Sequence, residues 1–314
     1  MALRNRLTTA LRICAPCAML LALASPALAA QRPAGPGAAQ QVDVKLVLAF
    51  DVSRSMDDDE FGVEREGTAA AFADPMVVQA IQNGSLGRIA VSLVHFSTDQ
   101  YNRVVVDWSV IKDRPSALAF AAAIRNGPRT PGRRTSISSA VELGSLLLEA
   151  SEKDFTARRR VIDISGDGPN NFGTPMTEAH DKAIAQGVVI NGLPVMDDMA
   201  NGYFPDLDKY YAGCVTGGRG AFVVVVKSYR DYAAAMRRKL ILEISGNETL
   251  LKQAVAPAAQ SKLLRKVAAT APAPAPARPG QVQVLPSAPN EFSKNCDIFG
   301  GFGGFGRFGG FRRF

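Results

Sequence analysis

The sequence predicts an α/β fold: a mostly parallel six-stranded sheet with one antiparallel edge strand and helices on both faces. Three observations carry this. Apolar runs of strand length alternate with amphipathic helical stretches from Val42 to about Gly246, the pattern of repeated βα units. Most of those runs are continuously apolar, as strands buried on both faces are. Only one pair of strands is joined by a connection short enough for a hairpin.

The elements follow in order. Residues 42–50 form the first strand, and the stretch LVLAFDVSRS (46–55) carries it from an apolar run into alternating polar positions. Further strands are predicted at 88–96 (RIAVSLVHF), 102–108 (NRVVVDW), 159–165 (RRVIDIS), 187–194 (GVVINGLP) and 221–227 (AFVVVVK), with helices at about 59–82, 114–125, 136–150, 175–186 and 229–242. Only STDQY separates the second strand from the third, so these two pair antiparallel. The others need helical crossovers and run parallel. About 205 residues are enough for one hydrophobic core.

The flanks read differently. Residues 1–29 have the makeup of a secretory signal peptide: Arg4, Arg6 and Arg12, an apolar core from Ile13 to Leu23, and Ala27-Leu28-Ala29 as a small-x-small cleavage site. That core is too short to anchor in a bilayer, and no later run is long and apolar enough to cross a membrane. Periplasmic or secreted localisation is therefore expected. Residues 30–41 form a disordered leader, 247–268 a short helical extension, 269–298 a Pro/Ala-rich linker containing APAPAPARPG, and 299–314 a disordered Gly/Phe/Arg-rich tail. The tail is either a solvated end or a sticky segment for a partner, a membrane surface or self-association.

Composition, 47% hydrophobic and 21% charged, is that of a folded domain. Without Arg4, Arg6 and Arg12 the formal charge of +7 falls to +4, and Arg307, Arg312 and Arg313 of the tail hold three of those four charges. The folded part is nearly neutral, which argues against a nucleic-acid partner. Cys214 and Cys296 outlast the signal segment. In an oxidising compartment they either pair or are held apart by the linker, and the sequence leaves both open.

Asp51, Ser53 and Ser55 stand where the first strand ends, and the carboxyl ends of parallel strands are where ligands bind. Their oxygens are hard donors suited to Mg²⁺, Mn²⁺ or Ca²⁺; the same residues also suit a helix cap. Thr135 opens the helix at 136–150, as a cap or as a ligand. The strand in VIDISGDG (161–168) ends at Asp167, flanked by Gly166 and Gly168; a turn would also use this pattern. Asp163 lies inside the strand and is the weaker candidate.

In combination, D-x-S-x-S after the first strand, a threonine opening a helix and S-G-D-G after a later strand resemble the von Willebrand factor A fold, a Rossmann-like architecture, with its metal-ion-dependent adhesion site. RRVIDISGDGPNN, VINGLPV and the late Cys-x-x-Gly-Gly…AF segment also look like an uncharacterised secreted bacterial branch of that family. The resemblance covers about residues 42–242. It implies a Mg²⁺ (or Mn²⁺) ion held by Asp51, Ser53, Ser55, Thr135 and Asp167, with an open position for a carboxylate of a protein or peptide partner. Arg54 between the serines, and Gly166 where a threonine is frequent, depart from the usual pattern.

A non-enzymatic, metal-dependent binding protein is thus expected. The alternatives are a Mg²⁺-dependent phosphohydrolase and a scaffold with a vestigial site. A phosphohydrolase usually needs a second acid two residues after Asp51, where Ser53 stands. No G-x-S-x-G elbow or phosphate-binding G-x-x-x-x-G-K-[ST] loop occurs. The acids Asp57 to Glu60 read as a helix start, His95 as a core histidine and His180 as solvated. The segment 195–220, with Asp197, Asp198, Asp206, Asp208, Tyr203, Phe204, Tyr210 and Tyr211, is either a partner surface or a cover packed on the sheet.

Overall fold

The computed structural model describes residues 39–98, 101–196, 204–246 and 282–297. The signal segment, most of the leader, the 247–268 extension, the APAPAPARPG run, Asp197, Asp198, Tyr203 and the Gly/Phe tail lie outside the described residues.

β1 (Gln40–Asp51) runs through the middle of the sheet and begins inside the segment read as leader. Its side chains alternate between two cores. Leu46, Leu48 and Phe50 join one; Val47 and Ala49 join the other. Fully burying a side chain such as Phe50 contributes about 1.5–3 kcal/mol. α1 (Asp58–Ala73) starts at a capping box between Asp57 and Glu60, the helix-start role expected of that acidic run. The predicted single helix over 59–82 is two helices. Asp74 ends α1 and caps α2 (Pro75–Gln82), and Pro75, which has no N–H to donate, sits at the first position of the new helix.

β2 (Ile89–Phe96) and β3 (Arg103–Ile111) form the expected antiparallel pair. α3 (Arg114–Asn126), α4 (Ile137–Ala150), β4 (Phe155–Gly166), α5 (Met176–Ala185) and β5 (Val189–Pro194) follow. Next come a short α6 (Leu207–Tyr210) continued by a wide turn over Tyr211–Val215, then β6 (Phe222–Val225) and α7 (Tyr232–Ser245). α1, α2, α3 and α7 contribute to the core that includes Leu46, and α4, α5 and α6 to the other.

The sheet has seven strands rather than six, and antiparallel pairs at both edges rather than one. β7 (Gln283–Pro286), from the segment read as linker, pairs antiparallel with β6. It is short and rich in neighbouring prolines, so it carries no periodic signal. Cys214 and Cys296 are bridged, with Cα atoms 5.4 Å apart; the linker does not keep them apart, because the β7 segment runs back along the sheet.

The strand order is β3-β2-β1-β4-β5-β6-β7. β1 has parallel neighbours on both sides, β2 and β4, so the connections reverse direction there. Such a switch point opens a crevice at the carboxyl ends of the two central strands. Phe50 lies opposite Ser165, which puts Asp51 and Asp167 at the same end of adjacent strands. Among the described residues, no helix is long and apolar enough to cross a membrane.

Candidate functional site

Three loops meet at that crevice. The first follows β1. Asp51 is fully buried and Ser53 nearly so, whereas Ser55 is exposed. Asp51 Oδ1 accepts from the Ser53 backbone N–H at 2.7 Å. The hydroxyls of Ser53 and Ser55 lie 3.0 Å apart, and Ser55 Oγ donates to Asp167 Oδ1 at 2.8 Å. The first and third predicted loops are therefore in direct contact.

The second loop carries Thr135, which is buried. The cap of α4 is Ser136, whose Oγ accepts from the Ser139 N–H, so the Thr135 hydroxyl is not the capping group. Gly132 donates its N–H to Val52 O at 2.7 Å and tethers this loop to the first. Only glycine fits there, since a Cβ would fall 1.9 Å from Ser97 Oγ. Ser97 in turn accepts the Ser136 N–H through its carbonyl at 2.6 Å and hydrogen-bonds Arg134 O through its hydroxyl. Arg133 and Arg134 are exposed.

Asn170 and Asn171 bind the second loop to the third. Asn171 Oδ1 accepts from Thr135 N at 3.0 Å, and its N–H donates to Thr135 O at 2.9 Å. Asn170 Oδ1 accepts from Ser138 N at 3.0 Å. A Cβ on Gly168 would lie 3.7 Å from Thr135 Oγ1, so the threonine hydroxyl borders the turn after Asp167. All five predicted side chains thus gather on three interlocked loops, while Asp163 points elsewhere and pairs with Lys239.

Two further residues shape the crevice without having been singled out for it. Tyr211, one of the aromatics of the 195–220 segment, is fully buried; that segment's described part, Tyr210 and Tyr211 above all, is a cover packed on the sheet. A Cβ on Gly166 would lie 3.1 Å from the Tyr211 hydroxyl and 3.2 Å from Asp51 Oδ2, so glycine there lets the tyrosine approach the aspartate. Glu64 of α1 is the other. Tyr232 donates to it at 3.0 Å and Ser165 lies 3.2 Å from the Tyr232 hydroxyl. Its spacing from Phe61, Thr68 and Phe72 on the buried face of α1 was the available signal.

Electrostatics single out Asp51. Burial, then the nearby Asp167 and Glu64 carboxylates, hold its carboxyl well above the usual range, against the hydrogen bonds from Ser53. Asp51 Oδ2 is buried with no hydrogen-bond partner, a costly state for a carboxylate oxygen. Burial likewise raises Glu64 to about 7, opposed by its Ser165 and Tyr232 hydrogen bonds. His95 is a core residue, packed between Phe50 and Phe61, and burial lowers it to about 4. His180, expected in solvent, is half-buried against Gly217.

Two carboxylates and three hydroxyls make a donor set of hard oxygens, which fits Mg²⁺ or Mn²⁺. The 2.8 and 3.0 Å oxygen–oxygen separations match adjacent corners of an octahedron of about 2.1 Å radius, close to 3 Å apart. Among the described residues, no three or more His, Cys, Asp or Glu are grouped to hold a metal, so a cation here depends on the hydroxyls.

An open sheet reversing at β1, with hydroxyls and carboxylates gathered over the reversal, is the architecture expected from the resemblance to the von Willebrand factor A fold. The chain belongs to the family described as "Protein of unknown function (DUF1194)", whose model matches residues 41–248. No curated protein matches the sequence. Among solved structures it is similar to the pilus adhesin SpaC from Lactobacillus rhamnosus GG (TM-score 0.48, 17% identity, 66% of this chain and 32% of that one). Another is proximal thread matrix protein 1 of the mussel byssus "with zinc occupied MIDAS motif" (0.46, 16%, 66% and 49%). A third is a von Willebrand factor type A protein from Catenulispora acidiphila (0.45, 14%, 65% and 43%). The chain spans about a third to a half of the length of these structures, and at such identities the likeness assigns it no role.

Proposed function

We propose that this protein is an exported, non-enzymatic binding domain that holds a Mg²⁺ or Mn²⁺ ion between Asp51, Ser53, Ser55, Thr135 and Asp167. Through that ion it engages a carboxylate of a protein or peptide partner. The observation that carries the reading is Asp51 Oδ2, buried and unpartnered at the switch point beside the serine hydroxyls and Asp167. A hard divalent cation supplies what that oxygen lacks and offsets the repulsion between neighbouring carboxylates. With three neutral hydroxyls among its ligands the cation keeps enough positive character to attract an anionic group.

Within the chain's own contribution, Asp51 supplies charge and Asp167 orients Ser55. Thr135 is carried on a loop whose position depends on Gly132, Ser97 and Asn171. Export is supported by the signal-like residues 1–29 and by the Cys214–Cys296 bridge, which suits an oxidising compartment.

The experiment is capture of native envelope proteins on the immobilised parent and on Asp51→Ala, in Mg²⁺ and in chelator. A partner retained by the parent only with metal, and not by the variant, is the expected result. Retention indifferent to metal and to Asp51 contradicts the adhesive role. Turnover of a generic phosphate ester that vanishes in Asp51→Asn replaces it with the phosphohydrolase reading.

A further inference from the structure

Between α7 and the sheet lies a second set of charged groups that the cation site does not use. Asp163 of β4 and Lys239 and Glu243 of α7 are 3%, 0% and 0% exposed. Lys239 Nζ contacts Asp163 Oδ1 and stands 3.9 Å from Glu243 Oε2. Asn191 of β5 donates to Glu243 Oε1 at 2.6 Å and fixes that carboxylate. The Phe222 ring, its centroid 5.4 Å from Lys239 Nζ, closes the cluster.

Asp163, Lys239 and Glu243 together hold two acids against one amine, with the Arg159 guanidinium hydrogen-bonded to the Glu243 carbonyl alongside, and each buried ion is costly. Burial, with Glu243 adding to it and Lys239 opposing, raises Asp163 to about 8. Raised in this way, Asp163 favours its neutral form where it touches the amine, and a Glu243 carboxyl oxygen stands 3.9 Å from the same nitrogen.

We infer that Lys239 and Asp163 condense into an intramolecular amide, with Glu243 as the proton acceptor. One proton of the Lys239 ammonium passes to Glu243 and stays there. The freed lone pair bonds to Asp163 Cγ, a second nitrogen proton joins the departing hydroxyl, and the C–O bond breaks to release one water. Nothing is oxidised or reduced. The products, a secondary amide and a protonated Glu243, leave no charge among the three residues, which removes the burial cost that the ion pair retains. The link ties α7 to the strand that leads into Asp167.

The test is peptide mapping by mass spectrometry of the purified full chain, digested after unfolding and reduction. A branched peptide joining the Asp163 and Lys239 segments, lighter than their sum by one water, is expected in place of the two linear peptides. Lys239→Arg and Glu243→Gln, each checked for folding by circular dichroism, should give linear peptides only. Linear Asp163 and Lys239 peptides from the folded parent overturn the inference and leave a buried ion pair. A branched peptide from Glu243→Gln overturns the part given to Glu243.

Discussion

Thr135 and Ser136 are adjacent hydroxyl residues with separate tasks. Ser136 caps α4, so Ser136→Ala should cost about 1 kcal/mol in urea unfolding and leave stabilisation by Mg²⁺ in place. Thr135→Ala should do the reverse, with little loss of stability but roughly tenfold weaker Mg²⁺ response, a loss of about 1.4 kcal/mol of binding free energy. Glu64 makes a pH prediction. Its folded pKa of about 7 lies above the ordinary 4.5, so the folded chain holds that proton more tightly than the unfolded one. Its stabilising contribution is complete below about 4.5 and is lost as pH rises through 7. His95, lowered from 6.5 to about 4, acts in the opposite sense, losing its contribution as pH falls through 4. Comparing parent with Glu64→Gln in chelator isolates the first effect: only the parent should lose the Glu64 share of stability between about pH 5 and 8. At this scale the ligand candidates were legible, because hydroxyls and acids placed just after apolar runs leave a pattern. Glu64 and Tyr211 were not, since their role depends on α1 and the wide turn at Tyr211–Val215 reaching one crevice from distant parts of the chain.

Loops rather than helices set the geometry at the next scale. Gly132 sits where the second loop crosses Ser97, and an added methyl would fall 1.9 Å from the serine hydroxyl. Gly132→Ala should therefore cost roughly 1–3 kcal/mol, as overpacking does. It should also weaken Mg²⁺ stabilisation several-fold by shifting Thr135; a variant that unfolds at the same urea midpoint as the parent would count against this. The first six strands and most helices followed from the hydrophobic pattern. The break at Asp74-Pro75 was written in the sequence as an N-cap followed by proline, yet the apolar positions on either side made one helix look continuous. β7 had no such pattern: four residues at a sheet edge are recognised by their hydrogen bonds to β6, and these are non-local.

Across the whole molecule, the bridge from Cys214 to Cys296 closes a loop with a sequence separation of 82 and secures the segment that carries β7. Reduction should lower stability by about 4.5 kcal/mol in the chain-entropy account, read as a fall in urea midpoint and as faster amide exchange in β6 and β7. The α/β class and the end of the sheet that carries the site were legible from the alternation of apolar runs and from the side on which polar residues follow them. The sheet's second antiparallel edge was not, because it is built by chain returning from beyond Gly246. Electron paramagnetic resonance of a Mn²⁺ titration reads whether Asp51 and its neighbours form one cation site. Loss of the free-ion signal up to one Mn²⁺ per chain, reversal by excess Mg²⁺, and no uptake by Asp51→Ala are expected. A parent that leaves the free-ion signal untouched, or an Asp51→Ala protein that takes up Mn²⁺ as the parent does, would contradict a cation site there.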